Sequence, residues 1–329
     1  MTIRRREVIV GAGSALILPF PISSAAAQRV RRAQIGFISG LNQAAAGEFI
    51  NAFKEGLASL GYIEPSTLKL HLLFANYVRE RIPALVEELQ KSDVDLIITH
   101  ALATGEVVKS HRTLPVVYEF SADPVTLGYA TDLAHPLYNA TGITLMMAEL
   151  NSKRLELLHE IMPDIKRIAV LANPLHSGMQ LERTHSEVEG QKQGIEVLFF
   201  PASNRNELTR AFATISSSAP QAILVFSDAF MVQNRDDITD FAMRQRIPVI
   251  SGWAVMADGG ALFTYGPRLV ESYRRVAYFA DRILKGAKPA DLPIEQPSVV
   301  ELVINLKSGK SLGITIPSTV LARAARVIE

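Results

Sequence analysis

The chain has 329 residues, 48% hydrophobic and 20% charged, with a formal net charge of +1 and no cysteine. That length exceeds one ordinary core and asks for two domains or lobes of globular composition. The near-zero charge gives no pull toward nucleic acid or acidic lipid. The missing cysteines exclude disulfides, thiolate nucleophiles, Cys-zinc sites and iron–sulfur clusters.

The first segment reads as an export signal. Arg4-Arg5-Arg6 precede an apolar run from Val8 to Phe20, too short to span a bilayer comfortably. Ser24-Ala25-Ala26-Ala27-Gln28 then offers a small-x-small cleavage site. The Arg pair suggests the twin-arginine route. Glu7-Val8-Ile9 stands where an aromatic-Leu-Lys is usual, so a general secretory signal is the alternative. Residues 1–27 are expected to be removed near Ala27, leaving an exported protein in a bacterial periplasm.

From Ala33 onward apolar runs alternate with helical patterns. Gln34 to Ile38 reads as a strand. A helix follows from about Gln43 to Leu60, with Phe49, Phe53, Leu57 and Leu60 on one face and Gly61 as its stop. Leu68 to Phe74, Asp95 to Thr99 and Pro115 to Phe120 read as strands; Arg79 to Gln90 and Ala103 to Ser110 read as helices. This order predicts a parallel sheet covered on both faces by helices. The pattern then restarts. Helices are expected over Lys153–Met162, His176–Gln193, Glu207–Ser216 and Asp237–Arg246, and strands over Arg167–Leu171, Ile195–Phe200, Ala222–Phe226 and Pro248–Ile250. QIGFISG resembles RIAVLANP, and VDLIITH resembles QAILVFSD, so the two halves read as lobes of one topology. A strand in ALFTYGP, a long helix over Leu269–Lys285 and a late strand in PSVVELVINL revisit those lobes, and several crossings make a hinge.

Ligands of open parallel sheets sit outside the carboxyl ends of the strands. Two strands end alike there, in VVYEFSADP and AILVFSDAF, each with a carboxylate: Asp123 and Asp228. These could anchor a positive ligand group, one per lobe. A ligand carboxylate could rest on backbone N–H groups after Ser39-Gly40 or Ala103-Thr104. Rings such as Trp253 and Tyr265 could take an apolar part. An amino acid fits that division. Asp123 before Pro124 is equally the pattern of a helix cap with proline in the first turn, and Asp228 can cap as well. Both readings stand open. There is no nucleophile elbow, phosphate loop, dinucleotide fingerprint or metal-binding His spacing. Among seven histidines, His100 ends a strand; the others, His176 included, read as surface or loop residues.

The stretches IGFISG, FKEGLASLGYIE, LPVVYEFSADPVTLGYATDLAHP, KRLELLHEIMPDIKRIAVLANP, TYGPRLVESYRRVAYFADRILKGAKPADLPIEQP and ELVINLKSGKSLGITIP carry a resemblance. The chain resembles the ABC-transporter substrate-binding proteins of the tryptophan/tyrosine-binding type. That resemblance implies α/β architecture of the type I periplasmic binding protein fold: two Rossmann-like lobes with parallel sheets joined by a multi-crossing hinge. It implies lobes of 33–141 with 265–290 and 142–264 with 291–329. It implies that Ser39, Thr104, Asp123, Asp228 and the Thr264-Tyr265-Gly266 turn face the ligand, and the strand-end residues Gly40, Pro124, Asn173 and Trp253 complete the expected ligand site. The expected function is capture of a small amino-acid-like solute, aromatic or branched-chain, by a monomer that delivers it to a permease and ATPase. No cofactor, metal, catalytic residue or nucleic-acid partner is expected. His100-Ala101-Leu102-Ala103-Thr104 is bulkier than the family's Gly-rich loop, and Ser251-Gly252-Trp253 also departs from its pattern. Those departures keep an aromatic solute from being carried over directly. An exported enzyme using His100 with Asp123 or Asp228, and a sensor subunit of the same fold, are the alternatives.

Overall fold

Two open sheets are built on one plan in this computed structural model, which describes residues 32–100, 102–110 and 113–329. Residues 1–31, which contain the expected export signal, and Ala101, His111 and Arg112 lie outside the described residues. In the first half the strands are β1 (Ala33–Ser39), β2 (Leu68–Phe74), β3 (Leu96–His100), β4 (Val116–Phe120), the small pair β5 (Ala130–Asp132) and β6 (His135–Pro136), and β7 (Ala140–Thr144). The helices are α1 (Gln43–Ser59), α2 (Ile82–Gln90) and α3 (Ala103–Ser110). The second half holds β8 (Arg167–Ala172), β9 (Glu196–Pro201), β10 (Ala222–Val225), β11 (Val249–Ser251), β12 (Phe263–Pro267), β13 (Val300–Asn305) and β14 (Arg326–Ile328). Its helices are α4 (Met147–Ile161), α5 (Met179–Gln193), α6 (Arg205–Ser218), α7 (Ala229–Gln233), α8 (Arg235–Gln245) and α9 (Ala254–Asp258), with α10 (Leu269–Leu284), α11 (Leu306–Leu312) and α12 (Ser318–Leu321) following.

The first sheet has the order β2-β1-β3-β4-β7, all parallel. The second begins β9-β8-β10-β11-β12, the same order, and adds antiparallel β13 and then β14. Each sheet therefore reverses direction beside its first strand, which puts a switch point at the carboxyl ends of β1 and β3 and another at those of β8 and β10. Both sheets are buried on their two faces, as parallel sheets require. Ile35, Phe37 and Ile98 pack with α1 and α10 on one side, while Ile38, Ile97 and Val116 pack with α2 and α3 on the other.

Sheet membership moves the expected lobe boundaries. β7 runs to Thr144, past the change at 141/142, and β12 keeps pairing in the second sheet to Pro267. The third crossing comes after Glu295, because Glu295 still bonds to Gly142 and Thr144 of β7. Two further differences are local. Helix α4 starts at Met147, six residues before the expected Lys153, and no capping side chain announces it; Met146 takes left-handed dihedrals there instead. On α1 the buried face is Ala46, Ile50, Phe53, Gly56 and Leu57, while Leu60 lies past the last turn at 38% exposure. Among the described residues no helix is long and apolar enough to cross a membrane.

Candidate functional site

At the first switch point Ser39 and His100 leave their strands side by side. Ser39 Oγ stands 3.2 Å from His100 Nδ1 and accepts the Leu41 N–H; the Gly40 N–H donates to the His100 carbonyl. His100 is enclosed by Phe37, Phe49 and Tyr273. Burial drives its pKa down to about 3, so it is neutral. Thr104 is buried nearby, bonded through Oγ1 to Thr99 Oγ1 at 3.1 Å. The second switch point mirrors the first: Asn173 Nδ2 donates to Asp228 Oδ1 at 3.1 Å. Phe230 N–H donates to the same oxygen, making Asp228 the cap of α7. Asp123 also caps a turn, accepting from the Val125 and Thr126 backbones and the Thr126 hydroxyl, while the Pro124 carbonyl receives the Tyr129 N–H. Both strand-end carboxylates are thus engaged in local hydrogen bonds.

Three other sequence-named positions lie on β12. Thr264 is buried between β11 and β13. The Tyr265 carbonyl accepts from Arg154 Nε at 2.8 Å. Gly266 lies so close to Gly252 that an added Cβ would stand 1.9 Å from the Gly252 oxygen. Trp253 follows β11 and packs against the core of the first lobe, with a buried Nε1–H that has no partner.

The lobes touch beside this region. Ser121, after β4, bonds to His176 Nε2 of the second lobe at 2.7 Å. Gly178 lies against Ala122, where a Cβ would come within 3.1 Å of the Ala122 Cα. Against these contacts lies a cavity of about 210 Å³, lined from the first lobe by Ser121, Asp123 and Thr144 and from the second by Met147, Glu149 and Glu182, among others. Of the site residues named from sequence, Asp123 lines it. A second cavity, of about 390 Å³, lies at the crossings, but its charged side chains are paired: Arg275 with Glu295 and Arg268 with Glu301.

Behind the first cavity runs a buried polar chain that sequence reasoning missed. Glu182 Oε2 accepts from Asn151 Nδ2 at 3.1 Å, Asn151 Oδ1 accepts from Arg154 Nη1, and Arg154 Nε reaches Tyr265. Glu182 is 1% exposed and Arg154 0%. His176 Nδ1 stands 3.4 Å from Glu182 Oε1, yet that oxygen has no hydrogen bond. Burial pushes the Glu182 carboxyl up to about 8 against the pull of Arg154, and burial brings Arg154 down to about 10. His176, read from sequence as a surface or loop residue, lies on the loop before α5 and is a partly buried inter-lobe contact, because Ser121 and Glu182 flank it. A signal existed in α5. Its inward residues are Glu182, Ser186, Glu189 and Gly190, so it has no apolar stripe, and a helix without one must face polar partners. Among the described residues no group of three or more metal-ligating side chains could hold a metal ion.

The comparisons with known proteins agree with this fold. A family model described as "ABC transporter substrate binding protein" matches residues 34–328. An ABC domain from Streptococcus pneumoniae solved in complex with L-Trp superposes with a TM-score of 0.84 at 24% identity, covering 90% of this chain and 100% of that one. A conserved domain protein from Vibrio cholerae gives 0.83 at 23%, with the same coverage. The ligand-free, open form of a substrate binding protein with adhesive properties from Clostridium difficile gives 0.69 at 20%, covering 90% and 99%. At these identities the likeness is one of fold. No curated protein matches the chain.

Proposed function

The chain belongs to the ABC transporter substrate-binding protein family, and from that premise we propose that it captures a small amino-acid-like solute between its lobes and hands it to a membrane permease driven by an ATPase. The observation that carries this reading is the cavity at the strand ends, lined by both lobes and backed by a buried carboxylate with an unpaired oxygen. A volume of about 210 Å³ is below the roughly 300–1,000 Å³ of drug-sized sites, which suits a single small metabolite. The L-Trp complex of the Streptococcus pneumoniae protein supports an amino acid as the solute class. Residues 1–27 serve as the export signal, and the protein works in the periplasm as a monomer. The role is binding rather than turnover: His100 is neutral, buried and spent on Ser39, so it makes a poor acid–base partner for Asp123 or Asp228.

Closure is favoured by a solute because contacts from both lobes exist only in the closed state. A thermal-shift screen of amino acids, carboxylates, sugars, nucleosides and short peptides tests the reading. A solute at a hundredfold excess over its Kd stabilises the native state by about 2.7 kcal/mol. A shift confined to one class identifies the solute class; no shift with any class overturns the reading.

A further inference from the structure

The unpaired Glu182 oxygen specifies more about the solute, an inference that rests on the solute-binding reading above. The cavity wall carries three carboxylates, Asp123, Glu149 and Glu182, and no Lys, Arg or His among the described residues. Arg154 does not neutralise the site directly, since its donors go to Asn151, Tyr265 and the Met147 carbonyl. Glu182 is 1% exposed, lines the cavity, and leaves Oε1 without a hydrogen bond. A buried acceptor left unmade costs on the order of 1–3 kcal/mol, more when charged, so Oε1 needs either a proton of its own or a donor from the solute.

We propose that Glu182 receives the ammonium group of the solute, and that the cavity takes primary amines of amino-acid size. An ammonium has three donors. Glu182, Ser121 and Asp123 line the same space, and their oxygens can take them. Another wall is the first turn of α4, from Met147 to Glu149, which no side chain caps. Its free N–H groups and positive helix end suit a solute carboxylate, which makes an α-amino acid the best match.

Proton linkage follows from the surroundings of Glu182. Burial raises its carboxyl to about 8, Arg154 and Asn151 on α4 pull it down, and Asp228 at α7 and Glu149 on α4 add to the rise. His176, on the loop before α5, is held low by burial, with Asp228 pulling it up. The empty site therefore holds a proton on Glu182 at pH 7, and an arriving ammonium expels it. Binding releases up to one proton, and affinity falls toward tenfold per pH unit below about 8.

Calorimetry on the purified protein tests this. The tightest of the twenty L-amino acids is titrated against its amine-free carboxylic acid and its carboxylate-free amine, at several pH values and in buffers of different ionisation enthalpy. The amine-free acid is expected to bind at least 100-fold more weakly, with proton release seen for the amino acid. Glu182→Gln is expected to weaken the amino acid at least 30-fold and to abolish the proton release. An amine-free acid within threefold of the amino acid, or an unchanged pH profile in Glu182→Gln, overturns the proposal. Should that variant fail to fold, the analogue comparison and proton count on the wild type decide. Binding by carboxylates, sugars or nucleosides but by no amine overturns the amine assignment and leaves solute capture standing. Binding by nothing overturns both.

Discussion

Ser121 Oγ and His176 Nε2 stand 2.7 Å apart across the cleft, one from each lobe. A side-chain hydrogen bond is worth about 0.5–1.5 kcal/mol net, enough to bias a two-state opening by roughly 2- to 12-fold. Ser121→Ala should shift the ligand-free protein toward the open form. Small-angle scattering should then give a larger radius of gyration than the wild type, and apparent solute affinity should drop by at least the same few-fold factor, since the binding-competent state is less populated and a cavity hydroxyl is lost as well. An unchanged radius and affinity would mean that apolar contacts alone hold the lobes together.

The two strand-end carboxylates separate by position. Asp228 caps α7 and takes the Asn173 amide, away from the 210 Å³ cavity, whereas Asp123 both caps a turn and lines that cavity. Asp228→Ala should cost about 1 kcal/mol of stability, the usual cost of a lost cap, with solute affinity within a factor of two of wild type. Asp123→Ala should lose similar stability and also bind more weakly. Asp123→Asn, which can still cap, should recover the stability without recovering the affinity. Denaturant melts and calorimetry on the three variants check this; loss of binding in Asp228→Ala would return that residue to the site.

These residues also mark how far the sequence could be read. Strands buried on both faces are largely apolar runs, so β4 and β10 were legible nearly to the residue. The parallel pairing followed from the alternation of strand and helix, whereas the strand order did not. The switch-point residues could be named from the same rule, but whether Asp123 and Asp228 cap or bind depends on where the neighbouring N–H groups point, which no one-dimensional pattern contains. Glu182 and Arg154 were invisible for another reason. A charged residue inside a polar helix looks like a solvated face until the packing of α4 on α5 buries it. The early start of α4 was hidden too, because the turn at Met146 carries no capping residue.

Trp253 is the chain's one tryptophan. It leaves β11 in the second lobe, packs on the first-lobe core, and buries an Nε1–H without an acceptor. Removing an unpaired buried donor by a ring of similar shape is close to neutral. Trp253→Phe should therefore keep the melting temperature within a few degrees and retain solute binding. In the wild type, intrinsic emission should change on adding solute, because this one fluorophore sits at the lobe contact. A Trp253→Phe variant that loses binding while staying folded would mean that the indole N–H meets the solute.

Glu119, on β4, is buried and accepts the Tyr273 hydroxyl of α10 at 2.9 Å, with its other oxygen unpaired. Burial lifts its carboxyl to about 7, and the hydrogen bond from Tyr273 only partly offsets this. A raised acid binds its proton more tightly folded than unfolded. Its stabilising contribution is thus complete below the unfolded value of 4.5 and is lost as pH rises through 7. The full span amounts to something on the order of 3 kcal/mol. Glu182, raised to about 8, adds a second decline reaching to higher pH. Glu119→Gln keeps an acceptor for Tyr273 and cannot ionise, so its stability should fall less between pH 5 and pH 7.5 than that of the wild type, and above pH 7 the variant should be the more stable of the two. Urea melts across that range measure the difference. Parallel curves for the two proteins would mean that Glu119 is ionised in the folded state at pH 5, with water reaching the oxygen that Tyr273 leaves free.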